Sequence, residues 1–138
     1  FNLFNLDQID NVPGELKDEI ILPQPEAFIT PENYYATACH ELTHWTGHKS
    51  RLARDFEGRF GDESYAFEEL IAELGASFLC GHFGFIDATI ENHASYLSSW
   101  IKVLKNDKNA IFIAARHASS AYDYLLSTAG ITQKNNAA

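Results

Sequence analysis

His40-Glu41-Leu42-Thr43-His44 is the stretch that decides how this chain is read. The pattern is H-E-x-x-H. On an α-helix, His40 and His44 stand one turn apart on one face, so both imidazoles can reach a single metal ion. Glu41, next to the first histidine, can hold and deprotonate a water at that ion, as the general base of a zinc peptidase does. The flanking residues predict the helix. Thr30 is an N-cap candidate, Pro31 follows where its missing N–H does no harm, and Glu32 puts an acid in the positive first turn. Tyr35, Ala38, Leu42 and Trp45 recur at roughly helical spacing and Gly47 is a stop signal, which predicts a helix over Pro31 to Thr46. Tyr35, Leu42 and Trp45 are expected to bury against the core, away from the histidines.

Two histidines leave zinc short of a protein ligand. The extended pattern H-E-x-x-H-x-x-G-x-x-H is not met, because no third histidine stands where it requires one. His48 lies one turn beyond His44, and three successive turns of one helix do not wrap easily around one ion, so it reads better as a capping or packing residue than as an alternative ligand. A carboxylate from a second helix fits better. Ser64 to His82 reads as that helix, with Asp62 or Ser64 as cap and Gly84 as stop. Phe67, Leu70, Ile71, Leu74, Ser77 and Phe78 make a broad apolar face. Glu69 and Glu73 lie four apart on one line, where like charges repel unless a cation neutralises them. Glu73 is the favoured third ligand, because Ile71, Ala72, Leu74, Gly75 and Ala76 surround it. Glu69 is the alternative, and whichever does not bind would orient a ligand histidine. Glu68 fits a solvated face. Gly75 and Ala76 would let another helix approach closely.

At this point the chain resembles a family. Tyr34-Tyr35-Ala-Thr-Ala-Cys-His40-Glu-Leu-Thr-His-Trp-Thr-Gly-His48-Lys-Ser-Arg-Leu52 and Tyr65-Ala-Phe-Glu-Glu-Leu-Ile-Ala-Glu-Leu-Gly-Ala-Ser-Phe-Leu79 resemble the C-terminal zincin-like domain of ArdC-type antirestriction proteins. The same domain occurs in TraC-type plasmid primases and phage polyvalent proteins. Trp100 to Asp107 and Ala121 to Leu126 extend the match, which runs over roughly residues 27 to 127. The resemblance implies one zinc ion, a peptide or protein substrate, and a plasmid- or phage-encoded antirestriction setting. A weaker resemblance to ImmA/IrrE-type metallopeptidases, whose third glutamate opens an E-x-x-A-N pattern, matches Glu73-Leu-Gly-Ala76-Ser77 and again favours Glu73. In the ArdC-type family a longer segment separates the motif at Phe4 to Gln8 from the extended Ile20-Ile21-Leu22-Pro23. Here the separating stretch, Asn11 to Glu19, is short, and an exposed loop or chain break is expected there.

The expected fold is mainly α (α+β), a zincin-like domain of about four helices with a small N-terminal β element at Ile20 to Leu22. The segments are an extended N-terminal stretch (1–26), the metallopeptidase domain (27–130) and a polar tail (131–138). A third helix is predicted from Asp87 or Thr89 to about Asn106, with Ile90, Tyr96, Leu97, Trp100, Ile101 and Leu104 inward. A fourth, capped by Asp107, is predicted to run to about Thr128, with Phe112, Ala115, Ala118, Tyr122 and Leu125 inward. An opening Phe1 in place of Met reads as a piece of a longer protein.

A net charge of −9 over 138 residues disfavours direct binding of this domain to a nucleic-acid backbone. A basic run at Lys49, Arg51, Arg54 and Arg59 is expected to pair with Asp55, Glu57, Asp62 and Glu63. No apolar run approaches a membrane span. Cys39 and Cys80 are expected to pack as reduced thiols, with a cytoplasmic setting. A peptidase also needs a donor for the oxyanion, and Tyr65, Tyr96, His93 and His117 are the weak candidates. The favoured function is peptide hydrolysis by a metal-activated water. The alternative is a catalytically silent, metal-stabilised interaction domain.

Overall fold

The computed structural model describes residues 18–85 and 97–131. The order is α1 (Pro31–Thr46), a single-turn α2 (Glu57–Phe60), α3 (Ser64–Phe83), α4 (Leu97–Asn106) and α5 (Ala110–Thr128), with short 3-10 turns at Pro25–Ala27 and Gly61–Glu63. The mainly helical class is as expected. Among the described residues there is no strand, and Ile20 to Leu22 form none. The expected loop or break after Asn11 and the start of the third helix fall largely outside the described residues, as do Ile90, His93 and Tyr96. No described helix is long and apolar enough to cross a membrane.

Local chemistry sets the helix ends. The Thr30 side chain accepts from the Asn33 backbone N–H at 3.2 Å, satisfying one of the orphan donors that open α1. Gly84 ends α3 with φ of 84°, a left-handed conformation that only glycine adopts without strain. No side chain caps α3, contrary to the roles expected of Asp62 and Ser64. Asp107 does not cap α5 directly. It sits in the preceding turn and accepts from the Asn109 N–H at 3.0 Å.

α3 is the central element, with α1 and α5 both packed along it. One core joins Phe67, Leu70 and Ile71 of α3 to Val103 of α4 and Ala110, Ala114 and Ala118 of α5, with Phe56, Phe60 and Trp100 closing over it. A second joins Ala36 and Cys39 of α1 to Ala76, Leu79 and Cys80 of α3 and Leu126 of α5. The buried face of α1 is Ala36, Cys39, His40, Thr43 and Thr46, while Tyr35 is 47 % exposed and Leu42 lies at the surface. The expectation that Tyr35 and Leu42 turn inward is therefore corrected, while Trp45 is partly buried. The cause is close approach: a Cβ on Gly75 would lie 2.5 Å from Thr43 Cγ2, so only small side chains fit where α1 crosses α3 at these positions. Gly75 and Ala76 do allow that approach.

The inward face of α5 is likewise alanine, and Phe112 is 73 % exposed. Ala118 is buried as expected, with Tyr122 and Leu125 partly covered. Leu97 and Ile101 of α4 are half exposed, and Val103 takes the buried position. Cys39 and Cys80 are free and buried, and burial with the neighbouring Cys80 pushes the Cys39 thiol up to about 12. The N-terminal segment is clasped to the end of α1. The guanidinium of Arg51 lies 3.9 Å over the Trp45 ring, and Asp18 accepts from both Trp45 Nε1 at 2.9 Å and Arg51 Nη1 at 2.8 Å.

Candidate metal centre

α1 and α3 meet in opposite chain order. Cys39 lies by Cys80, Thr43 against Gly75 and His44 against Glu68, so the two helices run antiparallel. This brings the inward histidines of α1 against the carboxylates of α3. The two Nε2 atoms of His40 and His44 face each other at 3.1 Å. Glu69 spans them, with Oε1 at 3.1 Å from His44 Nε2 and Oε2 at 3.4 Å from His40 Nε2. Ligand-type atoms of His40, His44 and Glu69 all lie within 4.8 Å of one another.

The far side of each ring also meets a carboxylate. His44 Nδ1 is 3.3 Å from Glu68 Oε1. His40 Nδ1 is buried without a hydrogen bond of ordinary geometry, and Glu73 Oε1 stands 3.5 Å from it. The structure places the two acids in the reverse of the expected order: Glu69 stands between the histidines, and Glu73 lies behind His40. The physical reason is register. Glu69, one turn nearer the start of α3, faces the gap between His40 and His44, whereas Glu73 is level with His40 alone. Apolar neighbours made Glu73 look the more buried acid, yet Glu69 is the one among the buried residues. Glu68 is no solvated carboxylate either, since it joins His44 to Arg54.

The electrostatics follow from these contacts. Burial alone would depress the His44 pKa, but the bonds and charges of Glu68 and Glu69 outweigh it and raise it to about 9. Burial would raise Glu69, yet the two histidines pull it down to about 2. Glu68 is likewise lowered against its burial, by His44 and Arg54. Glu41 behaves oppositely. Burial raises its pKa, with Glu69 adding and the two histidines opposing. It neighbours the cluster electrostatically without belonging to it.

The donor set fits a metal ion. If each Nδ1–H is directed to its carboxylate, Glu73 or Glu68, each Nε2 presents a lone pair. Two such lone pairs and a carboxylate converging in a buried site repel unless a positive charge lies among them, a proton on His44 in the metal-free protein or a metal ion in its place. Imidazoles backed by carboxylates are the usual ligands of zinc, which takes nitrogen at about 2.0–2.1 Å and leaves a position open in catalytic sites.

The other candidates lie elsewhere. His48 is exposed and bonds locally to Ser50 Oγ at 2.7 Å. Tyr65 opens α3 and is 43 % exposed. The ring of His117 packs edge-on against Phe56. His93 and Tyr96 lie outside the described residues. The three arginines of the basic run are ion-paired, but with distant partners: Arg51 with Asp18, Arg54 with Glu68, and Arg59 with Asp107. Reading the sequence missed the joint role of Arg54 and Glu68, because nothing in a loop arginine signals that it turns inward.

Comparison with known proteins identifies the family. The chain is 49 % identical over 109 residues to the DNA primase TraC of Escherichia coli, covering 79 % of this chain and 10 % of that protein. It is 36 % identical over 118 residues to the uncharacterised protein y4eC of Sinorhizobium fredii, covering 86 % of this chain and 38 % of that one. The metal-free crystal structure of the antirestriction protein ArdC from plasmid R388 superposes with a TM-score of 0.72 at 48 % identity, over 85 % of this chain and 42 % of the other. The chain therefore spans about a tenth of the TraC protein and less than half of the other two. The resemblance to ArdC- and TraC-type proteins is borne out. A family model of zincin-like metallopeptidases matches residues 13–117, and the chain belongs to that family.

Proposed function

We propose that this domain is a zinc-dependent peptidase in which His40, His44 and Glu69 hold the metal and Glu41 is the general base. The observation that carries the reading is the convergence of His40 Nε2, His44 Nε2 and the Glu69 carboxylate, with Glu41 beside them but outside the set. A bound zinc ion supplies Lewis acidity and brings the pKa of a water ligand down toward neutrality. Glu41 accepts the proton that attack on an amide carbonyl releases, holds it on its carboxylate and passes it to the leaving amine. Burial suits Glu41 to this task, because a carboxyl pKa raised toward the working pH both takes and returns a proton readily. Glu68 and Glu73 keep the imidazoles facing the site. The substrate is a peptide or protein. The relationship to ArdC supports an antirestriction-type parent protein, and the net charge argues against nucleic-acid contact by this domain itself.

A second reading has its own observation. The cluster joins α1 to α3 beside the tight Thr43–Gly75 contact, so a metal there would also staple the two helices of an interaction domain. One experiment separates the two. Glu41→Gln should retain zinc and fold but lose cleavage of an unfolded protein substrate. His40→Ala should lose zinc and the part of stability that metal binding supplies. Wild-type protein that binds zinc and cleaves nothing would favour the staple.

A further inference from the structure

Arg54 belongs to a loop, yet its side chain is only 1 % exposed. Burying a guanidinium is costly unless its donors are met by well-placed acceptors. Here they are met on two helices. Nε donates to Glu68 Oε2 at 2.9 Å and Nη2 donates to Glu68 Oε1, a two-pronged grip on one carboxylate. Nη1 donates to Thr46 Oγ1 at 2.7 Å, and Nη2 also reaches the Thr43 carbonyl at 2.8 Å. The same Glu68 Oε1 faces His44 Nδ1. A continuous line therefore runs from Arg54 through Glu68 to His44 and on to His40 and Glu69.

Gly47 points to the same group independently. Its φ of −73° is open to any residue, so conformation does not call for glycine there. Space does: a Cβ would lie 2.7 Å from Arg54 Nη2 and 2.9 Å from Cζ. The end of α1 is thus hollowed to let the guanidinium cross it.

We propose that Arg54 is a positioning residue of the metal centre, holding the Glu68 carboxylate against Nδ1 of His44 so that Nε2 faces the ligand cluster. The inference rests on the metal-centre reading given above. Arginine is suited to this by its planar fork, which fixes the plane of a carboxylate, whereas a lysine would supply charge without orientation. Anchorage on Thr43 and Thr46 ties that orientation to the helix that carries His44 itself. The carboxylate behind a ligand histidine is therefore held in place by a buried cation and not by solvent.

The test uses the full chain, zinc and cobalt(II) as probes, and the variants Arg54→Ala, Arg54→Lys, Glu68→Gln, Gly47→Ala and the double variant Arg54→Ala/Glu68→Gln. Circular dichroism of the metal-free proteins verifies the fold. Affinity is read by competition with a chelator, and ligand geometry by the cobalt absorption spectrum. Arg54→Ala and Glu68→Gln should each weaken zinc binding by about 10–100-fold, the usual effect of losing an outer-shell partner, and alter the cobalt spectrum. The double variant should fall no further than the single ones, since Arg54 acts through Glu68. Arg54→Lys should recover only part of the loss. Gly47→Ala, which displaces the guanidinium but removes no hydrogen-bonding group, should weaken binding in the same direction, and it decides the matter if Arg54→Ala does not fold. Wild-type affinity and spectrum in Arg54→Ala, full rescue by lysine, or losses that add in the double variant would overturn the proposal. A wild type that binds no zinc would sink the metal centre together with it. Hydrolysis absent from a zinc-binding wild type would sink the peptidase reading alone, and the affinity series would still decide Arg54.

Discussion

The two faces of α3 are built on opposite principles. Toward α4 and α5 it presents Phe67, Leu70 and Ile71 to an apolar core that Phe56, Phe60 and Trp100 close. Such a core is stabilised by removing hydrocarbon from water, and it needs no ligand. Toward α1 it presents Glu68, Glu69 and Glu73 to two histidines and a threonine-lined crossing. That side confines charge in a tight space, so its stability depends on every polar group keeping its partner. One helix thus carries a foundation on one side and the candidate metal site on the other. Function should be far easier to disturb on the second without unfolding the first.

The largest effect should come from the apolar side. Phe67→Ala empties the centre of the first core and should cost about 3–5 kcal/mol, read by denaturant unfolding of the metal-free protein. If zinc rescued that loss completely, the two sides would not be separate. Gly75→Ala should cost about 1–3 kcal/mol by forcing Thr43 away, and should also weaken zinc binding, because Thr43 precedes His44. Melting with and without zinc measures both. A loss of stability with unchanged affinity would show that the crossing does not set the site.

Acidity tests the polar side by itself. In the metal-free protein the His44 pKa is raised from 6.5 to about 9. Its contribution to stability is therefore fully present below 6.5 and lost as pH rises through 9. Glu69, lowered to about 2, contributes above its ordinary 4.5 and loses that as pH falls toward 2. Metal-free melting temperature should accordingly fall between pH 6.5 and 9. Over the same interval the stabilisation added by zinc should grow, since a proton competes with the metal for His44. A zinc effect independent of pH there would exclude His44 as a ligand. The smallest effect should be Phe112→Ser, within about 0.5 kcal/mol, because that ring lies outside both cores.

This contrast also explains what the sequence disclosed. Local signals were legible: Thr30, Pro31 and Glu32 open α1 as read, and Gly84 closes α3. The H-E-x-x-H histidines come together because a four-residue spacing is a property of one helix. Contacts between helices were not legible. Choosing Glu69 over Glu73 requires the register of α3 on α1, which Gly75 and Thr43 set across 32 positions of chain. Bulky apolar residues were read as core on α1 and α5, whereas close packing reserves those faces for alanine, threonine and cysteine. The inward turn of Arg54 depends on a cavity over Gly47, which becomes visible once the helix end and the returning loop lie side by side.

The clasp at Trp45 has a practical consequence. The protein has two tryptophans, and they lie in unlike surroundings. Trp100 donates to the Ala66 carbonyl at 2.8 Å at the edge of the apolar core, while Trp45 lies beneath a guanidinium beside exposed Asp18, one residue from His44. Their fluorescence therefore forms a pair of optical gauges. Salt should screen the contact of exposed Asp18 with Arg51 and change the emission of the indole at the end of the histidine helix, with the other indole expected to change only when the chain unfolds.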